Sequence, residues 1–214
     1  MKVDIKKDLY TSEKKLSQIN RETFAGYKLP VVNMIGSPGC GKTTLLEATL
    51  EYMRGQKKRI GIIEGDVKTS IDGDRLGKYG MPIEMVNTNG GCHLSPDDIK
   101  DAAEKLPLSG LDLLIIENVG NLVCPAAFDL GESMKVAVLS APEGDEKPLK
   151  YPALFKKAGL ALITKAELAD VCRFDIERAI ANIRAVSPDA KVIVLSVFEG
   201  TGMDEFLGYL MGVC

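Results

Sequence analysis

The sequence predicts an α/β fold, a single doubly wound and mostly parallel sheet with helices on both faces. Three observations carry that expectation. Short apolar runs alternate with segments of helical spacing along most of the chain, the pattern of successive βαβ units. Several of these runs are nearly continuous in Val, Ile and Leu, as in strands buried on both faces. One of them, residues 31–35, leads through a glycine-rich loop directly into an amphipathic segment.

The elements follow in order. Residues 1–28 read as a polar helix with a weak apolar stripe of Leu9, Leu16, Ile19 and Phe24, packed on the outside of the domain or against a partner. The chain thus divides into a helical extension, 1–28, and a domain, 29–214. Strands are expected at 31–35, 59–65, 83–87, 111–118, 135–140, 160–163 and 191–196. Helices fit at 42–54, about 71–79, 96–106, 151–158, 175–186 and 203–211. In the first of these, Leu45, Leu46, Ala48, Thr49 and Met53 share a face. Ser95-Pro96-Asp97-Asp98 is a helix start: Ser as N-cap, Pro in the first turn, acids at the positive end of the dipole. No repeat, linker or low-complexity tract interrupts the pattern.

Composition narrows the function. The 214 residues carry a net charge of −3, with 45% hydrophobic and 27% charged residues, which argues for an ordinary globular protein and against a general nucleic-acid binder. No run of about 18 apolar residues marks a membrane span. The first residues lack the apolar core of a signal peptide, so a cytoplasmic location is expected. The 5 cysteines should then be mostly reduced, each a candidate ligand, reactive group or small core residue.

The loop after the first strand is Gly36-Ser37-Pro38-Gly39-Cys40-Gly41-Lys42-Thr43-Thr44, a G-x-x-x-x-G-K-T phosphate-binding loop in the strand–loop–helix setting its mechanism needs. Glycines admit a phosphate close to the backbone, and successive N–H groups at a helix N-terminus face the anion. Lys42 is placed for the β/γ-phosphates and the Thr43 hydroxyl for Mg²⁺. In a doubly wound sheet ligands sit at the carboxyl ends of the strands, so the other strand ends should gather there. They carry Asp66 and Glu117, one to hold a metal-bound water and the other to orient the attacking water. Gly120 would offer a backbone N–H that senses the γ-phosphate. Cys40, at a helix N-terminus, is either a small residue tolerated in the loop or a redox-sensitive thiol.

A second constellation is Cys92, His93 and Cys124. The only histidine of the chain directly follows a cysteine on a glycine-flanked loop, and Cys124 lies just past a neighbouring strand. Either this is a buried Cys beside a surface His, or thiolate and imidazole form a soft donor set suited to Zn²⁺ or Ni²⁺. Three ligands leave such a site incomplete, and a symmetric dimer would complete it. Cys172 and Cys214 have no partner pattern. Thr164-Lys165-Ala166-Glu167 ends the sixth strand, where GTP-binding proteins carry the base-reading N-K-x-D, with Thr for Asn and Glu for Asp. The loop from Ser196 to Gly202 would add backbone contacts to the base. Guanine and adenine both remain open on these residues.

Together these residues resemble the nickel-incorporation GTPases of hydrogenase maturation, the HypB type. The resemblance rests on residues 36–44, on Glu64-Gly65-Asp66-Val67, on Cys92-His93-Leu94, on 143–152, and above all on Ile116-Glu117-Asn118-Val119-Gly120-Asn121-Leu122-Val123-Cys124-Pro125. It covers roughly residues 30–210. It implies a P-loop NTPase domain of the SIMIBI class, slow GTP hydrolysis with Mg²⁺, a nucleotide-linked homodimer, and a nickel or zinc site at its interface made by Cys92, His93 and Cys124. It also implies that Lys147 approaches the partner's nucleotide, and that the client is an apo-hydrogenase large subunit or another maturation protein. The chain lacks the N-terminal cysteine motif and histidine-rich tract of some members, and Ser95 stands where an Asp commonly follows Cys-His-Leu. Rival readings are an ATP-using kinase or ATPase, a nickel accessory GTPase for another enzyme such as urease, and a metal-storage module with vestigial turnover.

Overall fold

The computed structural model describes residues 5–65 and 75–213, with side chains from residue 12 onward. Its strands are β1 (Val31–Gly36), β2 (Ile60–Gly65), β3 (Ile83–Val86), β4 (Leu113–Glu117), β5 (Met134–Ser140), β6 (Leu160–Thr164) and β7 (Lys191–Val194). They form one 7-stranded sheet in the order β3-β2-β4-β1-β5-β6-β7. Every pairing is parallel. From β1 the chain builds first toward β2 and β3, returns through β4, then crosses to build β5, β6 and β7 on the other side. The order reverses beside β1, and such reversals open a crevice at the carboxyl ends of the strands.

The helices are α1 (Ile5–Gly26), α2 (Lys42–Gly55), α3 (Pro96–Ala103), α4 (Cys124–Ala127), α5 (Lys147–Lys150), α6 (Pro152–Lys157), α7 (Ala169–Cys172), α8 (Ile176–Val186) and α9 (Met203–Val213). All seven expected strands form. Of the helix expected at about 71–79, residues 71–74 lie outside the described residues, as does Asp66, and residues 75–77 are helical. α3 stops at Ala103 rather than 106 because Lys105 and Leu106 turn back onto the carbonyls of Ala102 and Ala103. α4, α5 and α7 hold 4 residues each, too few to leave a helical period in the sequence.

Alternation along the strands sorts the core. Ile60, Ile62, Leu113 and Ile115 pack with Leu45, Leu50 and Met53 of α2 and Phe206 of α9. On the opposite face Ile63, Leu114 and Ile116 pack with Phe24 of α1 and Ile99 of α3, while Leu139 and Ile163 pack with Phe155 of α6 and Ile183 of α8. Each such side chain contributes about 1.5–3 kcal/mol by leaving water. The same alternation turns the next residues of β2 and β4, Glu64 and Glu117, toward α2 and the loop before it.

The packed face of α1 differs from the expected stripe. Ser17, Asn20 and Phe24 are buried, Leu16 is half-buried and Ile19 is exposed; the side chain of Leu9 lies outside the described residues. Hydrogen bonding sets this face. The Asn20 amide donates to the carbonyls of Pro96 at 2.8 Å and Leu130 at 3.1 Å, and Arg21 pairs with Asp129 at 2.6 Å. Among the described residues, no helix is long and apolar enough to cross a membrane.

Candidate functional site

The loop between β1 and α2 is folded against β5 and β6. A Cβ on Gly36 would lie 2.6 Å from the Val138 carbonyl and from Cys40 Sγ, so only glycine lets the strand end and the loop close on each other. Thr164 Oγ1 donates to the Cys40 carbonyl at 2.7 Å, and Lys165 Nζ to the Gly39 carbonyl at 2.7 Å. In a planar trans peptide the N–H points away from the carbonyl, so fixing the Cys40 carbonyl turns the Gly41 N–H away from Thr164. Lys42 is buried, its Nζ 3.4 Å from the Gly36 carbonyl. Ser37, Pro38 and Thr44 complete the loop and the first turn of α2.

Cys40 is fully buried, its sulfur inside the core under α2. Burial pushes its thiol up from 9.0 to about 11, against a smaller opposing pull from Lys42. Desolvation outweighs the helix terminus here, so the redox-sensitive reading of Cys40 does not hold. The sulfur fills the space beside Gly36.

Thr43 Oγ1 donates to Glu117 Oε1 at 3.0 Å. Glu64 is the direct neighbour of Glu117 across the β2–β4 ladder, and both are buried. A hydroxyl and two carboxylates are hard oxygen donors of the kind Mg²⁺ takes. Sequence reasoning named Glu117 but missed Glu64. The signal was present, since a carboxylate ending a buried apolar strand needs a partner.

The segment after Glu117 links this end to the next constellation. A Cβ on Gly120 would come within 2.9 Å of Pro38 Cγ and 3.1 Å of its backbone, so Gly120 lies directly on the phosphate loop. Asn118 is buried; its Oδ1 accepts from Leu94 N at 3.2 Å and its Nδ2 donates to Asn33 Oδ1 at 3.2 Å. Asn121 Nδ2 donates to the Cys92 carbonyl at 3.4 Å, and its Oδ1 accepts from Val123 N at 2.9 Å. Leu94 packs over Gly65 at the end of β2. The loop that presents Cys92 is shaped by a turn with Asn89 and Gly90 at positive φ, closed by Gly91 N donating to Thr88 O at 2.9 Å, a type I′ turn. Ser95 caps α3 and forms a reciprocal box with Asp98.

Cys92, His93 and Cys124 are brought together, their ligand atoms within 4.8 Å of one another. Cys92 Sγ lies 3.4 Å from His93 Nδ1. The hydrogen bond with Cys124 holds the Cys92 thiol above its ordinary value. Burial holds the His93 imidazole below its ordinary value, which favours the neutral, ligating form. Its ring stacks on Phe128 with centroids 3.9 Å apart. The Phe128 carbonyl in turn accepts from Lys135 Nζ at 2.6 Å, and Lys135 pairs with buried Glu132. Neither Phe128 nor Asn121 was legible as part of a site, because each acts through a residue distant in sequence or in another element.

At the β6 and β7 ends, Lys165 adopts a left-handed conformation, φ 56°, and its stem runs beside Gly41. Thr164 is buried and its hydroxyl is committed to the phosphate loop. Glu167 Oε2 is buried with no hydrogen-bond partner. Ser196 is buried, and its Oγ accepts from Glu199 N at 3.1 Å. Lys147 opens α5, 3.9 Å from Glu143 and 5.1 Å from the Tyr151 ring centroid.

Comparison with known proteins agrees with this arrangement. Residues 30–194 match the model of the CobW/HypB/UreG nucleotide-binding domain. The hydrogenase maturation factor HypB of Escherichia coli K12 is 46% identical over 208 residues, 97% of this chain and 71% of that protein. The hydrogenase/urease maturation factor HypB of Helicobacter pylori is 36% identical over 96% of this chain and 88% of its own. The crystal structure of the Archaeoglobus fulgidus HypB superposes with a TM-score of 0.89 at 37% identity, covering 95% of this chain and 98% of that one. That of Helicobacter pylori HypB in complex with nickel does so with a TM-score of 0.89 at 34% identity, covering 94% of each. A phosphate loop and a Cys-His-Cys cluster joined by one strand end are thus found in a chain that belongs to the CobW/HypB/UreG family of nucleotide-binding proteins, and within it to the HypB hydrogenase maturation factors.

Proposed function

We propose that this chain is a GTP-hydrolysing metallochaperone that binds nickel and assists its insertion into a hydrogenase. The observation that carries the proposal is the segment 117–124. It meets Thr43 through Glu117 and Pro38 through Gly120, and it ends in Cys124 of the thiol–imidazole cluster. A change at the phosphates therefore has a short covalent path to the metal ligands.

Lys42 and the phosphate-loop N–H groups hold the triphosphate, with Thr43 and Glu117 as the residues that would hold Mg²⁺. When bound, that ion neutralises charge across the β- and γ-phosphates. Asp66 and Glu117 divide the tasks of holding a metal-bound water and orienting the attacking one. Water adds to the γ-phosphorus as its bond to the β–γ bridging oxygen breaks, giving GDP and phosphate. The Gly120 N–H reports the γ-phosphate. Glu167 accepts from the N1 and N2 groups of guanine, and Lys165 packs along the ring. Ser196 holds the loop that edges the base.

Cys92, His93 and Cys124 bind Ni²⁺ as cargo, with Zn²⁺ as the competing ion. Three ligands suit half of a shared site, so two copies meet there and Lys147 reaches the partner's nucleotide. The client is the apo-hydrogenase large subunit or another maturation protein, in the cytoplasm. The similarity to the hydrogenase/urease maturation factor HypB of Helicobacter pylori favours a second reading, nickel delivery to urease as well.

Two measurements test the proposal: GTP and ATP turnover by Lys42→Ala, and nickel binding by Cys92→Ala. GTP-selective turnover lost in the first and nickel binding lost in the second are expected. Nickel binding undisturbed by Cys92→Ala would refute the ligand set, and preference for ATP would refute the GTPase.

A further inference from the structure

Phe198 is the most exposed large apolar side chain among the described residues, at 90%. It stands on a braced loop. Ser196 N donates to the Thr201 carbonyl at 2.9 Å, and Glu199 N donates to Ser196 Oγ at 3.1 Å. Two glycines at positive φ, Gly200 and Gly202, close the loop. The ring is therefore presented rather than left on a loose end.

The loop adjoins the edge where Lys165 and Glu167 stand. Ala166 N donates to the Leu195 carbonyl at 3.2 Å, which ties the segment carrying Phe198 to the residue between Lys165 and Glu167. Lys165 is fixed in turn to the phosphate loop through Gly39. The same edge holds the buried, unpartnered Glu167 Oε2. A buried acceptor without a donor is costly, and a ligand N–H relieves that cost. Three things lie along this edge: an acceptor awaiting a donor, an aliphatic lysine stem and, three residues beyond Leu195, an exposed aromatic ring. A planar heterocycle with N–H donors on one edge fits all three.

We propose that Phe198 forms a wall of the nucleotide-base site and stacks on the purine of the bound nucleotide. Thr164 is spent on the phosphate loop and reads no base, so base affinity falls to Glu167, Lys165 and Phe198. This rests on the assignment of Glu167 to guanine made above. Stacking is tolerant of base identity, so Phe198 raises affinity for purine nucleotides in general while Glu167 selects guanine.

The test is equilibrium binding of GDP, ADP and inorganic tripolyphosphate to the whole chain, its Phe198→Ala, Phe198→Trp and Glu167→Gln forms. Loss of a stacked ring should weaken GDP by about tenfold. Phe198→Ala should show that loss, keep the parent affinity for tripolyphosphate, and be rescued by Phe198→Trp. GDP binding by Phe198→Ala equal to the parent, or an equal loss for tripolyphosphate, overturns the proposal. Glu167→Gln should collapse the preference for GDP over ADP. If that preference is unchanged, the guanine assignment fails; if it collapses while Phe198→Ala binds GDP normally, only the role of Phe198 fails.

Discussion

Asn118 Oδ1 accepts a hydrogen bond from the backbone N–H of Leu94 at 3.2 Å. The residue after Glu117 thus grips the residue after His93. Its amide also donates to Asn33 of β1, three positions before the phosphate loop begins. One buried side chain joins β1, the end of β4 and the loop before α3, between the nucleotide loop and the thiol–imidazole cluster.

Asn118→Ala should therefore lose more than packing. It leaves Leu94 N and the Asn33 amide oxygen without this partner in a buried setting, a cost of about 1–3 kcal/mol per unmatched group. Urea unfolding should show the loss. Nickel titration of the same variant should show a smaller difference between the nucleotide-free and GTP-analogue states than in the parent. Parent-like stability together with a parent-like difference would remove Asn118 from the link.

Thr43→Val removes the hydroxyl that donates to Glu117 while keeping the shape of the side chain. Turnover should need about tenfold or more additional Mg²⁺, the scale of effect seen when a metal site loses a supporting group. Thr43→Ser should restore the parent requirement. An unchanged Mg²⁺ dependence in Thr43→Val would place the ion elsewhere.

The Phe128 ring holds His93 by stacking at 3.9 Å. Phe128→Ala frees the imidazole to rotate away from Cys92 and Cys124. Nickel affinity should fall by about 10–100-fold, as for other supports of metal ligands, with Phe128→Tyr retaining most of it. Titration of both variants by calorimetry checks this.

Cys40 gives a pH signature. Its thiol lies at about 11 in the fold against an ordinary 9.0, so the fold favours the protonated form. The contribution is fully present below pH 9 and is lost as pH rises through about 11, an alkaline loss of roughly 3 kcal/mol at most. Cys40→Ala should flatten that slope in unfolding measured from pH 8 to 11. In native protein at neutral pH, iodoacetamide should label exposed Cys92 and Cys172 and spare Cys40, which reacts only on unfolding.

The strands were legible because burial on both faces leaves uninterrupted apolar runs, and the phosphate loop because its chemistry is local in sequence. Cys92, His93 and Cys124 could be named from a short pattern, and the fold supplies their approach. What stayed hidden depends on contacts across the chain. Asn20 packs α1 through carbonyls 76 and 110 residues away, so the apolar stripe found Phe24 and Leu16 but missed Asn20 and included the exposed Ile19. Asn118 reaches partners 24 and 85 residues away, and nothing near it in sequence marks it as a joint. Thr164 read as a substitute base contact, yet it braces the phosphate loop through a bond spanning 124 residues. Cys40 could be read by position as a tolerated small residue or as a reactive thiol, and its burial favours the first.

The proposed link between nucleotide state and nickel affinity runs through the segment 117–124. Its most direct test is nickel titration of the same protein in three states: without nucleotide, with GDP, and with a non-hydrolysable GTP analogue, each with Mg²⁺. Linked sites of this kind differ by about 5–150-fold. The expected result is a shift of that size between the GDP and GTP-analogue states, matched by an equal shift in nucleotide affinity when nickel is added. Identical nickel affinity and stoichiometry in all three states would contradict it.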